Sequence, residues 1–226
     1  KEEINIIKNL IKKEEDNVEI NELKIAILAC YVPLLSCKNI ASKLNKYKSK
    51  NNLFNDLINM QINEPLKEKD LISSVKSLEK ISNTVSKKVQ DQYEKYPYPR
   101  WRYTYSTSPS NYIDIINKQI NPNKIKKFNK FNNPNVLVAG CGTGNHICQT
   151  ANYLNANILG VDLSLTSIGY AKRKVEELSI KNIEFLHADI LQLKNLSRKF
   201  DVIECVGVLH HMQDPLKGLQ ILLELL

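Results

Sequence analysis

The sequence has little from which to build a membrane span: its longest apolar stretch, Ile25 to Leu35, is interrupted by Pro33. It falls well short of the roughly 20 residues that a bilayer crossing needs. The chain opens on Lys-Glu-Glu with no signal-like apolar core, so these lines point to a soluble, cytoplasmic protein without a membrane partner. Five cysteines at irregular spacing include no C-x-x-C pair. That excludes a disulfide framework and a zinc ribbon, and predicts reduced buried thiols and no metal. Arginine is scarce, 4 of 32 basic residues, and arginine is the usual bidentate phosphate reader. Its scarcity argues against a nucleic-acid partner despite the formal charge of +8.

At 226 residues and 42% hydrophobic, the chain is long enough to bury one large core or two small ones. Its charge is uneven. Residues 1–90 hold 16 Lys against 12 acids, residues 91–135 hold 8 Lys and Arg against 3 acids, and residues 136–226 hold 8 against 9. The basic excess therefore lies in the first 135 residues and reads as a solvated, Lys-rich surface.

From Lys1 to about Tyr96 apolar residues recur at three- and four-residue spacing, as in Ile4, Ile7, Leu10, Ile11, then Leu23, Ile27, Cys30, Tyr31, then Leu71, Val75, Leu78. No alternating pattern competes, so residues 1–95 are expected to be all-α, about five short helices punctuated at Pro33 and Pro65. Tyr96-Pro97-Tyr98-Pro99-Arg100-Trp101-Arg102-Tyr103 must be extended or turning, because two prolines bar it from a helix interior or a central strand. With a helix at Asn111–Gln119 and a polar, basic connection over 121–135, residues 96–134 read as a linking region. From Asn135 strands and helices alternate: strands at 135–139, 158–162, 183–187 and 200–206, helices at 145–154, 165–178 and 215–226. That alternation is the mark of a parallel sheet covered by helices, an α/β domain over 135–226.

The first of these strands, Val136-Leu137-Val138-Ala139, runs straight into Gly140-Cys141-Gly142-Thr143-Gly144. Glycine tolerates positive φ and lets a ligand approach backbone where a Cβ would collide, and the following helix offers free N–H groups. A nucleotide-like ligand fits there. The G-x-G-x-G spacing differs from the G-x-G-x-x-G that seats a dinucleotide, which disfavours a nicotinamide cofactor. The second strand ends in Asp162, placed to accept from ribose hydroxyls. The third ends at Ala188-Asp189-Ile190, placed to meet an exocyclic amine and a purine face. The plainer alternatives are a helix cap for Asp162 and a turn aspartate for Asp189.

Residues 135–226 resemble the first half of the Rossmann-like S-adenosylmethionine-dependent methyltransferases. The glycine run matches their glycine motif, Asp162 their ribose acid, Asp189 their adenine-side acid, and Gly207-Val208-Leu209-His210-His211-Met212 their fourth-strand exit. The resemblance implies a cofactor, S-adenosyl-L-methionine, held by Gly140, Cys141, Gly142, Thr143, Gly144, His146, Asp162, Leu163, Asp189, Ile190, Val206 and Gly207. The preceding part, with Glu64-Pro65 and Gln92 to Trp101, is similar to methyltransferases, often fused to tetratricopeptide repeats, that carry an N-P-Y-P-R-W segment; Tyr96 stands in place of its Asn. Many such relatives carry an acid two residues before the first glycine, where this chain has Val138. The methionine end must then be recognised by backbone or by another residue, His146 being a candidate. Relatives also continue beyond the position of Leu226 with further strands, so the sequence reads as a fragment at both ends, with four strands of a C-terminally truncated sheet and β-edge exposure at 200–206.

Among candidate residues, His210 and His211 are placed to take a proton from a nucleophile or to line the pocket. Glu204 interrupts an apolar strand without an evident role, and Cys141 is expected to pack beneath the glycine loop. Trp101, Tyr96, Tyr98 and Tyr103 with Arg100 and Arg102 form an aromatic cluster expected to fold against the crevice with Trp101 buried, either as a lid over a cationic methyl donor or as a clamp. Two functions follow. One is a methyltransferase acting on an unidentified small-molecule or protein nucleophile. The other is a non-catalytic S-adenosylmethionine or S-adenosylhomocysteine sensor or interaction module, kept open by the lack of a dedicated base.

Overall fold

Asparagine side chains start several of the helices in the computed structural model, which describes residues 2–17, 19–104, 108–124 and 132–226. Asn21, Asn51, Asn83 and Asn111 each accept a backbone N–H from the first turn that follows, satisfying donors a helix leaves open. Residues 125–131 of the basic connection lie outside the described residues.

The chain divides into two compact units, Lys1–Asp70 and Leu71–Leu226. In the first, α1 (Glu2–Asp16), α2 (Glu22–Ala29), α3 (Lys38–Leu44) and α4 (Asn52–Ile58) enclose a core of Ile25, Leu28, Leu34, Ile40, Leu44, Phe54, Ile58 and Ile62. The Lys43 ammonium donates to the carbonyls of Glu14, Glu15 and Asn17 at 3.2, 2.7 and 2.6 Å, closing the negative end of α1. On α2 the buried face is Ile25 and Leu28, while Leu23, Ile27, Cys30 and Tyr31 are exposed. The expected face was the opposite one because Leu-Lys-Ile-Ala-Ile-Leu-Ala is apolar nearly all round, so its periodicity does not single out a side. Cys30 is accordingly not a buried thiol.

Pro65 does not break the chain as expected. A π-helical segment at Asn59–Asn63 joins α4 directly to α5 (Glu64–Ile72), and the Glu64 N–H bonds to the Asn59 carbonyl. An i→i−5 turn widens the helix where the proline ring would strike the carbonyl four residues back.

In the second unit five parallel strands stand in the order β1-β4-β3-β2-β5: β1 (Lys76–Ser77), β2 (Asn135–Ala139), β3 (Asn157–Asp162), β4 (Ile183–His187) and β5 (Val202–Glu204). This is the α/β, Rossmann-like parallel sheet read from the sequence, with one strand more. β1 falls inside the region expected to be wholly helical. Two residues carry no detectable alternation, and the strand exists only because Lys76 and Ser77 pair with Leu186 and His187. Of the helical spacing at Leu71, Val75 and Leu78, only Leu71 lies in a helix, which ends at Ile72.

Alternation along the strands divides the core between the sheet faces. Leu137, Ala139, Leu159 and Val161 pack with Ile190, Leu193, Ile221 and Leu222. Val136, Val138 and Ile158 pack on the other face with Tyr112, Ile147 and Tyr153. The covering helices are α6 (Thr84–Lys95), α7 (Tyr112–Gln119), α8 (Asn145–Thr150), α9 (Leu165–Glu177) and α10 (Pro215–Glu224). No helix among the described residues is long and apolar enough to cross a membrane.

The Pro/aromatic segment is fastened to this unit around Trp101. Trp101 is buried; its indole N–H donates to the Thr143 carbonyl at 2.9 Å. The Thr143 hydroxyl donates to the Pro99 carbonyl at 2.6 Å, and the Tyr170 hydroxyl to the Trp101 carbonyl. Arg100 and Arg173 stack over the Tyr170 ring, each 4.7 Å from its centroid. Tyr96, Tyr98 and Tyr103 remain exposed, so of the four rings expected to need a surface only Trp101 is buried. Replacing Trp101 with Ala is expected to cost about 3–5 kcal/mol, typical of a buried Trp→Ala change, read by denaturant unfolding; a change below about 1 kcal/mol, typical of surface substitutions, would contradict the clamp.

Candidate active site

Three strand-to-helix turns at the carboxyl edge of the sheet, after β2, β3 and β4, border one crevice of about 570 Å³, within the range of small-molecule sites. A parallel sheet places all its strand ends, and the helix N-termini that follow, on one side.

The turn after β2 is shaped by its glycines. Gly144, at φ +89° as the N-cap of α8, lies where an added Cβ would stand 2.7 Å from the Ala171 Cβ. Gly142 is different: at φ +51° its Cβ would meet nothing within 4 Å and would project into open space. The first glycine lets the loop pack against α9, and the second keeps backbone bare towards the crevice.

Asp162, at the end of β3, accepts from the Gly142 N–H at 2.8 Å through one oxygen and from the Ser164 N–H at 2.9 Å through the other. It is not the cap of α9; Ser164 is. Burial pushes its pKa above the ordinary carboxylate value, against the opposing pull of the two backbone hydrogen bonds. Asp189 is a capping residue. It accepts from the Leu191 N–H at 3.0 Å while the Gln192 side chain accepts from its own N–H, so the turn alternative describes its structural part, and it borders the crevice as well.

The sequence-derived residues Gly140, Cys141, Gly142, Thr143, Gly144, His146, Asp162, Leu163, Asp189, Ile190, Val206 and Gly207 all line this one crevice. His211 lines it too, its ring 4.0 Å from that of His210 between centroids; His210 is not among the lining residues. Cys141 is buried under the loop, and burial holds its thiol well above the usual value. Sequence reasoning missed the wall formed by α6 through Ser86, Val89 and Tyr93; Tyr98 and Pro99 continue it, as expected of the Pro/aromatic segment. Nothing in an amphipathic helix that far upstream announces a site. The Trp101 ring does not line the crevice, so the segment's contribution to it comes from Tyr98 and Pro99, and Trp101 has the clamp geometry.

Two α6 side chains tie that wall to the turn after β3. The Glu94 carboxylate accepts from the Leu165 and Thr166 N–H groups at 2.7 and 3.1 Å, and Gln90 donates to the Leu163 carbonyl at 3.0 Å. Glu204, at the end of β5, is engaged on both oxygens. It accepts from the Tyr153 hydroxyl, from the Thr150 hydroxyl at 2.6 Å and from His146 Nε2 at 3.1 Å. Burial alone would raise its pKa, but the hydrogen bonds from His146, Thr150 and Tyr153 prevail and hold it below the usual glutamate value. Among the described residues no cluster of three or more His, Cys, Asp or Glu is arranged to hold a metal.

Residues 136–226 match the family model described as a methyltransferase domain. The chain is 34% identical over 140 residues to an uncharacterised protein of Rickettsia prowazekii, covering 61% of this chain and 24% of that one. It is 46% identical over 66 residues to a tRNA (guanine-N(7)-)-methyltransferase of Rubrobacter xylanophilus, covering 29% and 30%. A solved structure of magnesium protoporphyrin IX methyltransferase from Synechocystis with bound SAM aligns with 65% of this chain and 74% of its own, at 23% identity and a TM-score of 0.45. The chain spans between 24% and 44% of the length of the first four curated relatives. The match to a methyltransferase domain is thus confined to residues 136–226.

Because the folded pKa of Glu204 is depressed, its stabilising contribution is complete above the unfolded value, about 4.3, and is lost as pH falls through the lower folded value. Glu204→Gln should therefore flatten the acid limb of a stability-against-pH curve, measured by urea unfolding between about pH 3 and 6. An unchanged limb would show that the Glu204 carboxyl titrates alike in the folded and unfolded protein.

Proposed function

We propose that the protein is an S-adenosylmethionine-dependent methyltransferase acting on a small-molecule or protein nucleophile. The observation that carries this reading is the convergence on one crevice of a glycine loop whose middle glycine leaves open space with two strand-end aspartates and an apolar residue at the third strand end.

The residues present suit the cofactor. Asp162, with each oxygen already taking one backbone N–H, keeps a lone pair on each for the ribose hydroxyls. Asp189 would accept from the exocyclic amine, with Ile190 against the purine. Cys141, Thr143, Leu163, Val206 and Gly207 would line the pocket, and Gly140, Gly142 and Gly144 would let backbone approach the ligand. When bound, the cofactor supplies an electrophilic methyl group on a sulfonium, which is a good leaving group. The chain's task is then to hold the acceptor in line and keep water out, and alignment alone supplies much of a displacement's rate. The α6 wall and Pro99 narrow the crevice. His211 is placed to take a proton from an acceptor that carries one, and His210 would act only through it.

No observation favours the non-catalytic alternative, and one experiment separates them: titration of the full chain with S-adenosylmethionine and S-adenosylhomocysteine, followed by a labelled-methyl screen over small molecules and proteins. Binding with no acceptor labelled across both classes would favour the sensor. Asp162→Ala is expected to weaken S-adenosylmethionine binding by about 1–3 kcal/mol, because the ribose loses a charged acceptor in a partly dry site. Unchanged affinity in the same titration would remove the ribose assignment; Asp189→Ala should act in the same direction and less.

A further inference from the structure

The order of the sheet sets the direction in which a ligand lies across it. Asp189 follows β4, Asp162 ends β3, the glycine loop follows β2, and β5 is next in line. With purine and ribose over β4 and β3, the amino-acid end of the cofactor lies over β2 and β5. That end carries an ammonium, which needs a negative partner when it leaves water. Near the end of β2, two residues before Gly140, the side chain is Val138, buried and uncharged. Its register partner on β5 is Glu204. Registered neighbours in a parallel sheet project to the same face, and Glu204 does so, reaching Tyr153, which shares a core cluster with Val138. The missing charge is therefore present one strand over, at the same height.

Glu204 does not reach the ligand itself, since both oxygens are engaged within the protein. Its exit is His146. This residue follows the glycine loop at the start of α8, borders the crevice, and has a side chain 36% exposed against 13% for Glu204. In the tautomer that gives Nε2–H to the carboxylate, Nδ1 keeps its lone pair as an acceptor. We propose that His146 and Glu204 form a two-residue receptor for the cofactor's ammonium group, His146 Nδ1 accepting its N–H and Glu204, behind the ring, supplying the negative charge and setting the tautomer. This rests on the S-adenosylmethionine reading above. Glu204 is the positioning residue of the pair and His146 the contact. The Thr150 and Tyr153 hydroxyls hold the carboxylate in place.

The test is titration of the full chain with three ligands: S-adenosylhomocysteine, its analogue lacking the amino group, and 5′-methylthioadenosine, which lacks the whole amino-acid end. His146→Ala and Glu204→Gln should each bind S-adenosylhomocysteine about tenfold or more weakly than the wild type, as loss of a charge-assisted hydrogen bond requires. Both should bind the deaminated analogue and 5′-methylthioadenosine as the wild type does. His146 is part-exposed, so a melting temperature close to the wild type should accompany the loss in His146→Ala; Glu204→Gln also gives up the stability of its ionised form, and its unchanged affinity for the two ligands without an amino group is what separates loss of the receptor from distortion of the pocket. Asp162→Ala, by contrast, should weaken all three ligands. Unchanged S-adenosylhomocysteine affinity in both variants would overturn the receptor. So would an equal loss with the deaminated analogue, which would show that another group is recognised, or an equal loss with 5′-methylthioadenosine, which would show a general distortion of the pocket. A wild type that binds none of the three would instead sink the cofactor reading and the receptor with it.

Discussion

A single buried carboxylate joins the two turns on which the crevice depends. Asp162 receives the Gly142 N–H on one oxygen and the Ser164 N–H on the other, so the loop after β2 and the turn after β3 cannot move independently. The glycine loop is bare backbone at Gly142, with no side chain of its own to hold it. Backbone that is to meet a ligand must stay unpaired on that side and be fixed from behind. Asp162 supplies that fixing while sitting at the edge of the crevice, and desolvation of its charge is offset by the same two N–H groups that it orders.

The remainder of the crevice is held by borrowed contacts from upstream chain. Glu94 takes the first free N–H groups of α9, Gln90 the Leu163 carbonyl, and Trp101 the Thr143 carbonyl. Each of the three reaches a backbone group that a helix start or a tight turn leaves open. The segment from α6 to Trp101 thus serves the crevice as a second support, with Arg100 and Arg173 both stacked over the Tyr170 ring. Tyr96 and Tyr103 stay exposed beyond this support, while Tyr98 borders the crevice.

Much of the site could be read along the chain because its information is local. A strand that runs into Gly140-Cys141-Gly142-Thr143-Gly144, and strands ending in Asp162 and Asp189, each require only a few adjacent residues to be recognised, and a parallel sheet then brings all of those ends to one edge. The aromatic segment was legible for a similar reason: two prolines exclude helix, and the large apolar indole needs burial. What was not legible is whatever depends on a partner distant in sequence. Strand β1 is two residues that become a strand only beside β4, α2 shows no preferred face until its neighbours choose one, and Pro65 is accommodated by a π-turn that no composition rule foretells.

Glu204 shows where the division lies. Its residue type, inside an otherwise apolar strand, was an anomaly visible in the sequence, and so was the absence of an acid at Val138. That the two belong together depends on the register of β5 against β2, and the link to His146 depends on where α8 lies over that face. The amino-acid sequence by itself determined the strand order of chemical groups, the bare glycine loop and the strand-end acids, because backbone geometry and alternation act over a few residues. Only the tertiary structure decided which side chains meet across strands, which aromatic is buried and which helix walls the crevice, because those outcomes rest on contacts between residues tens to more than a hundred positions apart.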